Sequence, residues 1–428
     1  RSFAKAAVAI GGASALAACL DRGASDAVPS GPDNLSTLPS RQHAWNESLP
    51  TDDHGNVRTP YHHLLLYYDY DDAETTSGAA TPTSGERETV EDALQGLERA
   101  YERSNDGLLF TVGYSRRYFD RYETPLPASV DLPRPEALAS FEDPERDETD
   151  AVVHLASDRA EVLLEAEEAL RGNRETVNDS EMRGALDDAL TFRERRTGFI
   201  GDGMPAERDD VEGVPEGSVP KDAPMYMGFK SGFRGNQPTE DRVTIQSGPF
   251  AGGTTQHISK LQLNLNQWYN QDDRWQREAK MFCPYHAENE VIEGTGDGLG
   301  DSSKIDKCGP ATETARETGV VGHSQKCFGA REDGSPIILR RDFDSTDDGH
   351  AGLHFLALQR EIGDFVQTRD AMNGIDIAGK SAIGERNNNG ILQYIRTQHR
   401  GNYLLPPRSL RSLPPARPTS EEVADASS

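Results

Sequence analysis

A glycine-rich stretch with a single acid, GFIGDGMP at residues 198–205, is the first place in the sequence where chemistry is conceivable. Asp202 lies between two glycines. Asp tolerates turn conformations and glycine supplies positive φ, so the stretch is typical of an ordinary turn. The same loop could instead present a carboxylate to a buried reaction site. The stretch alone leaves both interpretations open.

The histidines offer one candidate among 11. His62, His154 and His354 lie in strand-like runs, where a hydrogen-bonded core histidine is the ordinary role. His323 differs, because in VVGHSQK it follows a glycine after two valines and precedes an arginine-bearing strand. A single histidine in such a place is usually structural or exposed, so a function for His323 needs support from other residues.

Three cysteines lie in the second half of the chain, at Cys283, Cys308 and Cys327. Outside the cell, one disulfide with one free thiol is possible. The stretch Cys283-Pro-Tyr-His286, with the other two cysteines, could also form a zinc site. The irregular spacing and the absence of a Cys-x-x-Cys motif disfavour zinc. The sequence leaves the pairing of the cysteines open.

The charge balance limits the partners of the chain. It has 45 basic and 72 acidic residues, a net charge of −27, and nine lysines among its basic residues. A strongly acidic, lysine-poor surface argues against nucleic acid or anionic lipid as the main partner. The composition resembles that of proteins from salt-loving archaea, where concentrated salt screens the excess charge. Periodic apolar segments argue against a disordered chain.

Residues 1–19 are predicted to be a targeting segment. RSFAK, at residues 1–5, resembles a twin-arginine export signal, and an apolar run too short to span a bilayer follows it. LAAC, at residues 16–19, resembles a lipobox, in which Cys19 is lipidated. We therefore expect an exported protein, anchored to the outer face of the cytoplasmic membrane through Cys19, with residues 20–42 as a flexible tether. A chance apolar leader is the alternative.

The first half of the chain predicts a ferredoxin-like order of elements. Strand-like runs lie at 61–71, 107–114 and 151–156, and apolar residues repeat at helical spacing between positions 90 and 101. Asp158-x-x-Glu161 is predicted to be a capping box that opens a second helix. Strand, helix, strand, strand, helix is the ferredoxin-like order.

The second half repeats this pattern. Period-two alternation at 261–266 predicts a strand, residues 267–281 a helix, 336–344 and 352–359 strands, and 361–372 a helix, while 282–311 is predicted to be a loop. We therefore predict an α+β fold of two tandem ferredoxin-like units with antiparallel sheets and peripheral helices, forming a barrel-like core. The predicted boundaries are 43–197 for the N-terminal unit, 198–224 for a linker, 225–413 for the C-terminal unit and 414–428 for a disordered acidic tail.

The order of short motifs resembles the dye-decolourising (DyP-type) haem peroxidases, which are tandem ferredoxin-like proteins often exported by the twin-arginine route. The resemblance runs from about residue 60 to 408. Its motifs, in order, are LLFTVGYSRRYF, FEDPERDETDAVVHLASDR, GFIGDGMP, GHSQK, ILRRDFD, GLHFLALQREIGDF and NYLLPP. The resemblance implies haem b as cofactor, hydrogen peroxide as one substrate and an unknown reducing substrate as the other.

The resemblance also assigns roles to individual residues. His323 matches the proximal haem ligand, an axial imidazole that holds the iron. Asp202, with Gly203 beside it in the cofactor-binding loop, matches the distal acid that moves a proton between the peroxide oxygens. Arg340 matches the distal arginine, which contacts the haem side and stabilises charge on the departing oxygen. Asp342 falls where some members have an asparagine and is a further catalytic candidate.

The Asp202 loop departs from the family pattern. The family has two residues between the first glycine and the Asp-Gly pair, whereas three separate Gly198 from Asp202 here. One extra residue could displace the carboxylate by up to about 3.5 Å. Two other functions therefore stay open: a haem-binding or haem- and iron-delivery lipoprotein that keeps His323, and a haem-free relative that serves as a surface binding protein. An oligomer is possible in each case.

Overall fold

The computed structural model describes residues 27–70, 80–379 and 382–419. Residues 1–26, and with them Cys19 and the predicted targeting segment, lie outside the described residues, as do residues 420–428. Within the described ranges, no helix is both long and apolar enough to cross a membrane.

The two halves of the chain repeat one order of elements. The first half contains β1 (His62–Asp69), α1 (Ser84–Ala100), β2 (Leu109–Ser115), α2 (Arg116–Phe119), β3 (Glu145–Arg146), β4 (Ala151–Ser157), α3 (Ala160–Leu170), β5 (Thr176–Val177), β6 (Ser180–Glu181) and β7 (Thr191–Phe199). The second half contains β8 (Thr254–Leu263), α4 (Leu265–Asn270), α5 (Arg274–Met281), α6 (Pro284–Glu288), α7 (Ala311–Thr318), α8 (His323–Cys327), β9 (Leu339–Arg340), β10 (Phe343–Ser345), β11 (Gly352–Gln359), α9 (Ile362–Asn373) and β12 (Ile395–Leu405).

The sheet of each half has the strand order of a ferredoxin-like unit. The first half pairs its strands in the order β7–β1–β4–β2, and the second in the order β12–β8–β11 followed by the broken strand β9 and β10. The halves join where β2 pairs with β12 and where β10 pairs with β7. Because β10 also pairs with β11, the sheet closes into a barrel. The predicted α+β fold of two ferredoxin-like units is confirmed.

Burial on both faces explains the continuous apolar run of β1. Leu64 and Leu66 pack with Leu94 of α1 in the core between the sheet and the outer helices. Leu65 and Tyr67 point to the other face and pack inside the barrel. A strand covered on both sides loses the polar–apolar alternation that marks a half-exposed strand. The helices therefore lie outside the barrel.

Five predicted elements need correction. The strand predicted at 261–266 is β8, which ends at Leu263, and the loop predicted at 282–311 contains the short helix α6. The predicted helix at 267–281 is two helices, because Asp273 caps the start of α5 with its own side chain. The predicted strand at 336–344 is the broken pair β9 and β10. The capping box at Asp158 is wrong: α3 begins at Ala160, and the Asp158 carboxylate accepts a hydrogen bond from the backbone N–H of Tyr61.

The predicted tether is wrong for residues 27–42, which pack against the first unit. The backbone N–H of Gly31 donates to the carbonyl of Arg99 at the end of α1. A Cβ at Gly31 would lie 1.8 Å from the carbonyl oxygen of Glu98, so only glycine permits this approach. The buried Gln42 side chain donates to the carbonyl oxygens of Val112 and Pro406. Hydrogen bonds to the rest of the protein therefore hold this polar segment in place, although its composition predicts a flexible tether.

The predicted disordered tail is likewise wrong for residues 414–419. The hydroxyls of Tyr118 and Tyr122 donate to the carbonyl oxygen of Pro414, and Ala416 is buried in the core of the first unit. The tail segment covers the outer side of α2, which its proline-rich composition did not predict.

Candidate functional site

A cavity of about 240 Å³ lies in the second unit, between its strands and helices α8 and α9. Ser259, Leu261 and Leu263 line it from β8 at period two, as one face of a strand must. Apolar side chains dominate the wall, among them Met225, Met227, Phe229, Phe233, Phe355 and Met372. A largely apolar cavity with a few convergent polar groups is the usual form of a ligand site.

His323 enters this cavity from the first residue of α8. The preceding Gly322 is required by packing, because a Cβ there would lie 1.6 Å from the carbonyl oxygen of Phe282. The ring Nδ1 lies 3.7 Å from the Sγ of Cys327. Nε2 has no hydrogen-bonding partner within the described part of the chain. The sequence Gly-His therefore places one free ring nitrogen at the cavity.

Burial keeps the His323 imidazole neutral. It lowers the pKa of His323 to about 3, and the positive charges of Lys326, Arg340 and Arg369 act in the same direction. At neutral pH the ring therefore carries a lone pair on one nitrogen. A neutral imidazole with a free nitrogen is the form that binds a metal ion.

Arg340, Asp342 and Asp344 also line the cavity, from the stretch that contains β9 and β10. The alternate residues face away: Arg341 donates to the carbonyl oxygen of His43, and the ring of Phe343 stacks inside the barrel. Strand periodicity thus gathers one cation and two acids, although the strand is broken between them.

The three polar groups differ in their surroundings. The Arg340 guanidinium lies 3.7 Å from the Asp342 carboxylate. Asp344 is buried, and one of its oxygens accepts the backbone N–H of Tyr226. Burial raises the pKa of Asp344 well above its ordinary value, and the nearby charge of Asp342 adds to the effect. These surroundings favour the protonated form of the Asp344 carboxyl, which is the form that can donate a proton.

Asp202 and Gly203 are not brought to this cavity. Asp202 is exposed, and neither residue lines the wall. Gly201, at φ 144°, donates its backbone N–H to Pro224, and Gly203, at φ 83°, donates to Ala223. Both ends of the turn are thus tied to a neighbouring segment, and the side chain between them projects into solvent. The expected position of Asp202 as a distal acid is therefore corrected: it is the acid of a surface turn.

The sequence alone did not assign Asp344 or Cys327 to this site. Asp344 follows Arg340 by four positions, so the predicted strand already implied that the two share a face. Cys327 follows His323 by four positions, which on a helix implies a contact. Both signals were present as spacings, but nothing in the sequence showed that this strand and this helix border one cavity.

The cysteines resolve into a disulfide and a thiol. Cys283 and Cys308 form a disulfide, while Cys327 is a free cysteine at the cavity wall. The alternative of a zinc site formed by Cys283, His286, Cys308 and Cys327 together is excluded by this arrangement, because Cys327 lies apart from the other three.

Residues 60–407 match the sequence family DUF7405, which is described as a family of unknown function. The match runs from just before β1 to just after β12, so it includes both units and every polar residue of the cavity. This chain belongs to the DUF7405 family. A search of curated protein sequences finds no match to this DUF7405 protein.

Solved structures of DyP-type peroxidases are similar to this DUF7405 protein. A variant of DypB from Rhodococcus jostii RHA1 in complex with heme has a TM-score of 0.54 and 16% identity, over 87% of this chain and 99% of that one. The encapsulated DyP-type peroxidase from Mycobacterium smegmatis has a TM-score of 0.52 and 15% identity, over 87% and 100%. At such identity the likeness establishes the fold alone.

The cavity of the DUF7405 protein fits a haem. The neutral His323 offers a ring nitrogen that has no partner among the described residues and would hold the iron of a haem. The apolar side chains suit the faces of a macrocycle. Lys230 and Arg331, which also line the wall, are cations of the kind that pair with carboxylates.

Proposed function

We propose that this DUF7405 protein is a haem-dependent peroxidase of the dye-decolourising type, which uses haem b to reduce hydrogen peroxide and oxidises an unknown donor outside the cell membrane. The observation that carries the proposal is the meeting of His323, Arg340, Asp342 and Asp344 on one apolar cavity. The fold shared with DyP-type peroxidases supports the same conclusion.

Each cavity residue has a distinct task in this proposal. Haem, when bound, supplies the redox chemistry that breaks the O–O bond. His323 would hold the iron through Nε2, while Cys327 contacts the other ring nitrogen. Arg340 stabilises the negative charge that develops on the departing oxygen, since its guanidinium is a fixed cation in an apolar site. Asp344 would supply a proton to the departing oxygen, and Asp342 could accept one from the peroxide.

Haem binding is tested with the full chain and added haem. We expect a Soret band that is lost or strongly shifted in His323→Ala and unchanged in His54→Ala, whose side chain is exposed. No Soret band in the wild-type protein, with its fold intact by circular dichroism, would refute haem binding and with it the proposed activity.

Peroxide turnover is tested on the haem-loaded protein. We expect Arg340→Leu to lower kcat by about 100-fold, the usual cost of losing one charge stabiliser. Arg396→Leu, which removes an exposed arginine of β12, is the matched control and leaves kcat unchanged. Equal effects of the two substitutions would remove the assigned role of Arg340.

A haem-binding or haem-delivery protein is the second candidate, and the exposed position of Asp202 favours it. The acid that the resemblance assigned to proton transfer is absent from the cavity wall, so peroxide chemistry depends on Asp342 and Asp344. A Soret band that requires His323, without peroxide turnover above that of free haem, would establish this second function.

We also propose export and lipid anchoring through Cys19, on the support of the twin-arginine-like and lipobox-like residues. Expression with the native leader is expected to place the protein in the membrane fraction, and Cys19→Ala to release it. Equal partition of the two proteins would contradict the anchor.

A further inference from the structure

Cys283, His286 and Cys308 form a compact cluster apart from the cavity. Cys283 precedes the first residue of α6, His286 follows one turn later, and Cys308 comes directly after the short 3-10 helix Ile305–Lys307. The three side chains are buried, and their ligand atoms all lie within 4.8 Å of one another. They belong to the segment 282–311, which matches no motif of the peroxidase resemblance.

The tautomer of His286 follows from its hydrogen bonds. Nε2 lies 2.9 Å from the carbonyl oxygen of Ser303, and a carbonyl can only accept, so Nε2 carries the ring hydrogen. The lone pair is therefore on Nδ1, which lies 3.0 Å from the sulfur of Cys283 and 3.0 Å from the sulfur of Cys308. Because disulfide sulfurs carry no hydrogen, neither can donate to it.

This geometry matches a metal site more closely than a simple crosslink. Metal-ligating histidines characteristically donate their other ring nitrogen to a backbone carbonyl, as His286 does to Ser303. Two thiolates and one imidazole, with a fourth position for water, is a ligand set that binds Zn²⁺. In the oxidised protein the two sulfurs bind each other, and the imidazole lone pair has no partner among the described residues.

We propose that Cys283, His286 and Cys308 bind one Zn²⁺-like ion when the disulfide is reduced. A dithiol reductant supplies two electrons and two protons, the S–S bond breaks into two thiols, and the reductant leaves as its own disulfide. The ion then binds both sulfurs and His286 Nδ1, and the two thiol protons are released to water.

The ion takes over a structural task of the disulfide. The side chain of Gln325 in α8 donates to the carbonyl oxygen of Cys308, and the backbone N–H of Gln325 donates to that of Phe282. The disulfide thus holds together the two backbone segments, around Phe282 and Cys308, to which α8 is hydrogen-bonded. A metal held by the same residues keeps these two segments connected in the reduced protein, so the site is crosslinked in both redox states.

Zinc binding is tested by reducing the full chain with a phosphine, which itself competes weakly for zinc, and titrating with Zn²⁺. We expect one tightly bound zinc per chain after reduction, none before it, and higher thermal stability of the reduced protein with Zn²⁺ than with a chelator. Co²⁺ in place of Zn²⁺ should give thiolate-to-metal charge-transfer absorption.

The variants separate this site from other thiols. His286→Gln, which still permits the disulfide and so can be checked for folding in the oxidised state, should weaken zinc binding at least 10-fold. Cys327→Ser is the control and should leave the stoichiometry and affinity unchanged. The proposal is overturned if reduced protein binds no zinc, if His286→Gln binds it as tightly as wild type, or if Cys327→Ser abolishes binding.

Discussion

At the scale of single residues, surroundings decide what a carboxylate can do. Asp202 is exposed to solvent on a glycine turn, whereas Asp344 is buried, and burial raises its pKa well above the ordinary value. Proton transfer in a cavity needs a group whose protonation state is set by its surroundings. Of the two acids, Asp344 meets this condition and lines the cavity, whereas Asp202 does not line it.

The first prediction contrasts these two acids. Asp344→Asn keeps the size and neutrality of the protonated side chain, so the fold should persist while the transferable proton is lost. We expect kcat/KM for peroxide to fall about 100-fold, within the usual range for general acid–base groups. Asp202→Asn should change it less than about 2-fold, within the scatter of an exposed substitution. Steady-state kinetics of the haem-loaded proteins would reverse the assignment if Asp202→Asn were the impaired variant.

At the scale of elements, the pairing of β7 with β10, called the seam below, closes the barrel. Asp344, an acid of the cavity wall, lies in this pairing. Asp344 pairs with Phe199 at this seam. Gly198 permits the approach, because a Cβ there would lie 2.1 Å from the ring of Phe343 and 2.4 Å from the carbonyl oxygen of Asp344. The Phe343 ring cannot withdraw, since it stacks on His63 with ring centroids 4.3 Å apart. The glycine that opens GFIGDGMP thus serves barrel closure.

The second prediction tests this seam. Gly198→Ala should lower the free energy of unfolding by about 2 kcal/mol or more, as overpacking of a closed core does. Gly329→Ala is the matched control, because a Cβ at Gly329 would meet no atom within 4 Å. Urea unfolding followed by circular dichroism measures both. Similar urea midpoints for the two variants would mean that β7 and β10 can move apart at Gly198 without loss of stability.

At the scale of the whole molecule, many buried imidazoles stay neutral. Burial lowers the pKa of His43 and His63 to about 3, and those of His154 and His257 well below their ordinary values. His63 Nε2 donates to the carbonyl oxygen of Pro60, so His63 Nδ1 accepts a hydrogen bond from His154 Nε2, 2.9 Å away, and protonation of His63 would remove that acceptor. The fold therefore depends on histidines that remain uncharged.

The third prediction is acid sensitivity with a defined sign. The unfolded chain binds protons on these histidines below about pH 6.5, whereas in the folded chain His43 and His63 stay neutral down to about pH 3. The contribution of these neutral histidines to the free energy of unfolding is therefore present above about pH 6.5. It is lost as the pH falls, by up to about 1.4 kcal/mol per pH unit for each histidine. Urea unfolding at several pH values in this range gives the slope of the free energy of unfolding against pH. That slope should be smaller in His63→Gln than in wild type and unchanged in His350→Gln. Equal slopes for all three would show that His63 is protonated in the folded state.

The fourth prediction concerns salt and rests on the net charge of −27. Self-repulsion of such a charge opposes the compact state, and molar salt reduces the screening length to about 3 Å. We therefore propose that the melting temperature rises steadily with KCl concentration. An equal melting temperature in dilute buffer and in molar KCl would contradict the inferred adaptation to concentrated salt.

Local patterns were sufficient for the elements that depend on neighbours in the chain. The strand predicted at 352–359 is β11, and the helix predicted at 361–372 is α9 within one residue. The alternation in ILRRDFD also placed Arg340 and Asp342 on one face. Periodicity of 2 or 3.6 residues is enforced by the backbone itself, so the residue order alone carries this information.

The sequence by itself thus determined the class of fold, because periodicity and element order follow from local spacing, while the resemblance in motif order proposed His323 and Arg340 as candidates. Tertiary structure alone decided that Asp202 faces solvent, that Asp344 joins the cavity and that Cys283 meets Cys308 beside His286. Each of these facts depends on contacts between segments that are far apart in the chain or on how a turn is tied to its neighbour. Barrel closure and burial set them, and neither is a property of any short stretch of residues.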